Sequence, residues 1–75
     1  MNILDEFADD VTEIDISHKN IEGILDFKRF TKLTKLNCSY NQISSLDNLT
    51  NSLIELHCDY NVKNYNELMK KYNNS

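Results

Sequence analysis

The sequence predicts an α/β solenoid with about three parallel strands, short 3₁₀ or irregular arcs on its convex side and a C-terminal capping helix. A motif of eleven residues occurs three times, as VTEIDISHKNI, LTKLNCSYNQI and LIELHCDYNVK, starting at residues 11, 33 and 53. After the third copy, apolar side chains recur at helical spacing. Units of about 20 residues that recur in this way favour stacking around one shared core.

The length and charge of the chain limit its class. With 75 residues, 40% hydrophobic and 27% charged, it can form one small folded domain. No apolar run approaches the roughly 18 residues of a membrane span, and the acidic start MNILDEFADD lacks the apolar core of a signal peptide. The net charge of −4 and the isoelectric point near 4.9 argue against nucleic acid or membrane as partner, because both need a basic surface.

The numbers of cysteines and asparagines bear on the cellular location of the chain and on the base composition of its genome. Two cysteines allow one disulfide at most, so the chain is no disulfide scaffold, and we expect an intracellular, cytoplasmic location. Eleven asparagines, one glycine and no proline indicate an AT-rich genome, because asparagine codons are AT-rich and proline codons are GC-rich. For a viral chain, the expected location is the host cytoplasm or the virion.

The centre of each motif predicts a strand. Motif positions 4 and 6 are apolar in every copy, and the residue between them is polar. This alternation is typical of a strand with one buried face. The predicted inward side chains, at positions 1, 4 and 6, are those of Val11, Ile14, Ile16, Leu33, Leu36, Cys38, Leu53, Leu56 and Cys58.

Beyond position 11, apolar residues recur every three positions, at Ile24, Phe27 and Phe30 in the first unit and at Leu46 and Leu49 in the second. This spacing suits 3₁₀ turns or short irregular arcs better than a long α-helix. The predicted parts of this single domain are an N-terminal cap (1–10), repeat 1 (11–32), repeat 2 (33–52), a partial repeat 3 (53–63) and a capping helix with tail (64–75).

Both ends of a repeat stack need covers, because an open end exposes core and strand edges. Asn64 and Glu67 have the spacing of a capping box, and Asn2 is a candidate N-cap for a short helical turn at the start of the chain. With both covers present, we expect a complete protein. The apolar stripe of the C-terminal helix comprises Tyr65, Leu68, Met69 and Tyr72, and the N-terminal turn comprises Ile3, Leu4 and Phe7.

The pattern LxxLxCxxNxI over residues 11 to 63 resembles the leucine-rich repeat, LxxLxLxxNxL, in the short form found in bacteria and large DNA viruses. The resemblance implies that the asparagine at position 9 bonds backbone groups of the turn after the strand. Asn41 and Asn61 would form this ladder. The first unit departs, with Lys19 at position 9 and Asn20 one step late, so its turn should be irregular or solvent-facing.

The resemblance also implies that partners dock on the outward side chains of the strands, which form the concave face. Glu13, Lys35 and Glu55 make a row of alternating charge that we expect to support the sheet. The candidate binding residues are Glu13, Asp15, His18, Lys35, Asn37, Tyr40, Glu55, His57 and Tyr60.

An aromatic row is the most suggestive part of this face. Tyr40 and Tyr60 beside His18 predict a stripe of rings along one edge. Tyrosine is enriched among the residues that dominate binding energies, so the stripe is one candidate hot spot. The alternative is that the rings merely pack over the turns and shield the asparagine ladder.

Chemistry is not expected of this chain. Asp15 and His57 lie two strands, or about 10 Å, apart, and with Asp59 they do not complete a metal site, so no cofactor is expected. Cys38 and Cys58 point inward as inert thiols, away from His57. The sequence thus predicts a non-enzymatic module that binds an unidentified protein through the concave face, as a monomer or weak homo-oligomer. The alternative is a self-associating structural unit that pairs through solenoid ends or edges.

Overall fold

Two parallel sheets and a C-terminal α-helix make up residues 2–72, the part of the chain that the structure, a computed structural model, describes. The fold is a small α/β arrangement whose strands are parallel. Its elements, in chain order, are a 3₁₀ helix (Ile3–Glu6), β1 (Glu13–Asp15), β2 (Glu22–Asp26), β3 (Lys35–Asn37), β4 (Gln42–Asp47), β5 (Glu55–His57) and α1 (Tyr65–Tyr72).

The first sheet has the strand order β1–β3–β5, so each of the three motif copies supplies one strand. Its register places Ile14 opposite Leu36 and Leu36 opposite Leu56, which aligns motif position 4 across the sheet. The strands and their register were therefore predicted correctly. Because equivalent residues lie side by side, each inward leucine or isoleucine packs on its counterpart in the next unit.

The second sheet corrects the prediction of 3₁₀ or irregular arcs, which was wrong. Strands β2 and β4 pair in parallel on the segments expected to be arcs. The spacing of three depended on Ile24, whose side chain is 62% exposed, whereas Leu25 is only 3% exposed. Leu25 and Phe27 both point inward with one residue between them, which is the period of a strand.

A bulge explains why the strand period is hidden in the sequence. Gly23 lies opposite Ile43, but Ile24 lies opposite Ser45, so Ser44 has no counterpart in β2. Gly23 has a φ of +86°, a conformation that glycine adopts without steric cost. The extra residue makes the inward spacing in β4 three, from Ile43 to Leu46, whereas Leu25 and Phe27 keep the period of two in β2.

The core lies between the two sheets and below α1. A fully buried leucine or phenylalanine contributes about 1.5–3 kcal/mol relative to its exposed state. Val11 and Cys58, predicted to point inward, are only partly buried, because each belongs to an end unit with a neighbour on one side. The buried apolar residues are Leu4, Ile14, Ile16, Leu25, Phe27, Phe30, Leu33, Leu36, Cys38, Ile43, Leu46, Leu53, Leu56, Val62, Leu68 and Tyr72.

The N-terminal turn forms as predicted, and hydrogen bonds from an arginine stabilise it. The side-chain oxygen of Asn2 accepts a hydrogen bond of 2.9 Å from the N–H of Leu4, as an N-cap does. Arg29 donates to the carbonyl oxygens of Leu4 and Phe7 and to the carboxylate of Asp9. These bonds join the turn to the first unit. Sequence reasoning missed this residue, because nothing in its neighbourhood indicates a distant backbone acceptor.

The C-terminal helix has its predicted stripe but not its predicted cap. Leu68 and Tyr72 are buried against the core. Asn64 precedes the helix, yet its side-chain nitrogen donates to the carbonyl oxygen of Leu46 at 3.2 Å, and its buried side-chain oxygen has no hydrogen-bond partner within residues 2–72. The capping box with Glu67 is therefore wrong. The reason is that Asn64 bonds the outer edge of β4 instead.

Asn41 performs the predicted backbone-bonding role. Its side chain is buried, with the residue 8% exposed. Its oxygen accepts from the N–H groups of Lys19 at 2.9 Å and Ile21 at 3.0 Å. Its nitrogen donates to the carbonyl oxygens of Ile16 at 2.9 Å and Cys38 at 3.0 Å. One amide therefore ties the turn of the first unit to that of the second.

Asn61 does not continue this ladder, so that prediction was wrong. Its side chain is exposed, while the next residue, Val62, is buried and turns the chain towards α1. Asp59 takes over the role that we predicted for Asn61. Its two carboxylate oxygens accept from the N–H groups of Tyr40 and Asn41, each at 2.9 Å. A carboxylate suffices because both groups to be satisfied are donors.

The two asparagines provide a matched pair of variants. We expect Asn41→Ala to lower the free energy of unfolding by about 3 kcal/mol, because it leaves buried N–H and C=O groups unpaired. Asn61→Ala should change it by less than about 0.5 kcal/mol, as is usual for an exposed residue. Urea denaturation followed by circular dichroism measures both. Equal effects of the two substitutions would contradict the assignment of the ladder.

The thiols give a second prediction. Burial raises the pKa of Cys38 to about 12 and that of the half-buried Cys58 to about 11, with nearby Asp59 adding to both shifts. Thiolates are the reactive form, so at pH 8 native Cys38 should react about a thousandfold, and Cys58 about a hundredfold, more slowly than an ordinary thiol. Iodoacetamide labelling of the single variants Cys38→Ala and Cys58→Ala, with urea-unfolded chain as control, measures each rate. Labelling of Cys38 at the unfolded rate would refute its burial.

Candidate functional site

The outward side of the β1–β3–β5 sheet gathers six of the nine predicted binding residues. It forms a shallow concavity of about 360 Å³. We call this surface the strand face, and its polar lining residues are Glu13, Asp15, Lys35, Asn37, Glu55 and His57. They meet there because the alternation that buries motif positions 4 and 6 turns positions 3 and 5 outward.

The charged row of the strand face is aligned but not internally paired. Glu13 lies opposite Lys35, and Lys35 lies opposite Glu55. Within residues 2–72, however, neither Glu13 nor Lys35 takes part in an ion pair. The row therefore has no internal ion pair in this part of the chain, and its support of the sheet stays a prediction. Exposed pairs of this kind stabilise a protein little, since hydration of the separate charges competes with them.

The other charges of the strand face have partners nearby. The Nε2 atom of His57 lies 3.2 Å from a carboxylate oxygen of Glu55. Asp15 accepts hydrogen bonds from the hydroxyl of Ser17 at 2.7 Å and from its backbone N–H at 3.0 Å, and these bonds lower the pKa of Asp15. Asp15 is exposed and, like any exposed aspartate, is ionised at neutral pH. The face then carries three carboxylates and one ammonium group, so it is acidic overall.

A stacked aromatic pair lies beyond the ends of β1 and β3. The rings of His18 and Tyr40 have centroids 4.3 Å apart and an interplanar angle of 12°. Both residues have positive φ, at 56° and 60°, a conformation that costs a non-glycine residue about 1–3 kcal/mol. Hydrogen bonds hold the pair in place, from the N–H of His18 to the carbonyl of Ser39 and from the N–H of Tyr40 to Asp59. His18 and Tyr40 occupy the same motif position, so the first turn departs from the second at Asn20, whose φ is also 56°. Residues 18–20 are exposed, which agrees with the solvent-facing alternative predicted for this turn.

Tyr60 does not join this pair. Its side chain is 86% exposed, and no ring of the described residues stacks on it. The predicted stripe of three rings is therefore reduced to two. The cause is the altered third turn, in which Asp59 rather than Asn61 bonds the neighbouring unit.

Residues 2–72 contain no group of three or more histidine, cysteine or acidic side chains that is placed to hold a metal ion. Neither cysteine is a candidate nucleophile, because burial keeps both thiols protonated. No helix in the described part of the chain is long and apolar enough to cross a membrane.

The strand face and the aromatic pair are the features of the described chain from which a function can be inferred. The face is acidic, polar and shallow, and the pair beside it is exposed. No protein-family model, no curated protein and no solved structure matches this chain.

Proposed function

We propose that the chain is a non-enzymatic protein-interaction module, a very short solenoid of the leucine-rich repeat type that binds another protein through its strand face. The repeat interpretation is supported by the register, in which equivalent motif positions lie side by side in β1, β3 and β5. It is also supported by the second parallel sheet, to which each full unit adds one strand. Units that stack in this way share one core and leave one sheet face open.

The observation that carries the proposed function is the unpaired charge on that open face. Glu13 and Lys35 lie side by side, exposed, and without an ion pair in the described chain. Their charges do not contribute to the stability of the fold through such contacts, so they remain free to meet a partner. Complementary charge of this kind accelerates association and selects among partners.

The aromatic pair supplies contact area beside these charges. Tyr40 is 69% exposed although Asn41, next to it, is buried and fully engaged with backbone groups. A ring whose main task was to shield the ladder would itself be covered. Exposed tyrosine offers a large amphipathic surface and loses little side-chain entropy on binding.

Self-association is the second candidate function, and the edge of the first sheet favours it. Strands β1 and β5 are edge strands within the described residues, and unpaired edges can recruit another chain. Two exposed apolar side chains, Ile54 and Tyr60, flank β5. Light scattering at several concentrations tests this candidate. Growth of the mass with concentration, abolished by Ile54→Lys, would favour it over the interaction module.

Site-specific photo-crosslinking tests the proposed function. A benzophenone amino acid replaces Asn37, which lines the strand face outside its charged row, or, as the control, the exposed Gln42 of β4 on the other sheet. In native lysate, we expect the Asn37 probe to capture one protein that the Gln42 probe does not. Capture from Gln42 and none from Asn37 would contradict binding through the strand face.

The captured protein then allows a test of the aromatic pair. We expect Tyr40→Ala to weaken its binding by about 2 kcal/mol, as for a hot-spot tyrosine, because the contact surface of the stack is lost. Tyr60→Ala should weaken it less, since that ring stands apart. Calorimetric titration measures both affinities, and a thermal melt measures stability. A large fall in Tm for Tyr40→Ala with unchanged affinity would show instead that the ring shields the ladder.

A further inference from the structure

We propose that the partner element bound by the strand face is an α-helix that presents a basic, an acidic and a basic side chain at positions i, i+3 or i+4, and i+7. This inference rests on the proposed function and specifies the chemistry of the partner. It follows from the order of the charges across the sheet, from their spacing and from the absence of internal pairing.

The order of the charges is negative, positive, negative. Glu13, Lys35 and Glu55 follow one another across β1, β3 and β5 at the same level of the sheet. All three side chains are exposed, and all three line the same concavity. A complementary partner therefore needs the reverse order along a line perpendicular to the strands.

The spacing of the row selects a helix. Neighbouring strands lie about 4.8 Å apart, so the row spans about 10 Å between Glu13 and Glu55. On a helix, with about 1.5 Å of rise per residue, the step to i+3 or i+4 covers about 5 Å and the step to i+7 about 10.5 Å, on one side. An extended strand presents same-side residues about 6.7 Å apart, which does not match the spacing of about 4.8 Å between neighbouring charges of the row.

The two ends of the face differ, which gives the partner a direction. At the β1 end, Glu13 has no ion pair among the described residues, and Asp15 adds a second carboxylate. At the β5 end, Glu55 already contacts His57 at 3.2 Å. The basic residue of the partner that meets β1 therefore encounters the higher negative charge, and its loss should cost more affinity than the loss of the other.

A second copy of this chain fits the row less well. Its only α-helix among the described residues, α1, exposes Glu67 and Lys70, an acidic and a basic residue at i and i+3. Lys63, four residues before Glu67, is exposed as well, but it lies in the turn that precedes the helix, which begins at Tyr65. A second copy thus offers two of the three charges in helical geometry.

Designed peptides of about 20 residues, long enough to hold helical structure, test the inference. One carries Lys, Glu and Lys at i, i+4 and i+7, and the other carries Glu, Lys and Glu at the same positions on the same alanine-rich background. We expect the first to bind the intact chain about tenfold more tightly, the combined effect of three exposed ion pairs. Amide chemical shifts of the isotope-labelled protein measure the affinity and should move in β1, β3 and β5.

Charge reversal on the protein provides the matched variant. The triple variant Glu13→Lys, Lys35→Glu, Glu55→Lys should prefer the second peptide, while Glu22→Lys in β2 should leave the preference unchanged. Should the triple variant fail to fold, the single variant Lys35→Glu gives the same test and should lose most of the preference for the first peptide. The preference should also shrink as salt rises, because exposed charges are screened.

Three results would overturn the inference. The first is equal affinity for the two peptides. The second is the absence of any amide shift with either peptide at about millimolar concentration, a level expected to reveal even weak binding. The third is a concentration-dependent shift of the same amides without peptide, which would mean that a second copy of the chain occupies the face. These results are separable from failure of the proposed function. A partner captured from Asn37 while the peptides fail leaves the interaction module standing without the helix, whereas capture from Gln42 and none from Asn37 removes the module itself.

Discussion

The side-chain amide of Asn41 is the contact on which the arrangement of the units depends. It satisfies two backbone N–H groups of the first turn and carbonyl oxygens of the first and second units, at a position where water does not reach. Buried polar groups of this kind must be paired, since each unpaired one costs about 1–3 kcal/mol. The register of β1 against β3, and with it the alignment of the strand face, follows from that requirement as much as from apolar packing.

The strand face inherits its geometry from these internal bonds. Asp59 holds the backbone of Tyr40, and Asn41 holds that of Lys19, so the turns after β1 and β3 have fixed shapes. The stacked pair of His18 and Tyr40 can then persist despite two positive φ angles. A rigid, prealigned surface loses less entropy on binding than a loop that must first be ordered.

The sequence was sufficient to predict the first sheet and the residues of its outer face, because strand alternation and the repeat spacing act on every unit alike. It was insufficient where the local structure depends on a single bulge or on hydrogen bonds to a distant part of the chain. The extra residue of β4, Ser44, sets the inward spacing there at three, from Ile43 to Leu46, so the apolar spacing does not reveal a strand. The role of Arg29 depends on carbonyl groups more than twenty positions away.

Within the candidate site, the sequence also did not predict the side-chain orientations and ion pairs that depend on spatial neighbours. Asparagine at motif position 9 looks equivalent in the second and third copies, yet Asn61 turns outward because burial of Val62 redirects the chain. The sequence places opposite charges in one row but does not show whether they pair, and Lys35 has no ion pair in the described chain. The sequence predicts which residues lie opposite one another in the sheet. It does not predict whether opposite charges pair or remain hydrated.

The strand order has a consequence for how the chain reaches its native state. Every paired strand has its partner some 20 residues away, as in Glu13 with Lys35 and Lys35 with Glu55, and no strand pairs with the next one along the chain. A single unit therefore cannot form any sheet hydrogen bonds by itself, and the entropy of closing a loop of that length must be lost before the first ladder forms. The smallest structured nucleus contains two units, and the chain should fold more slowly than a helical bundle of equal size.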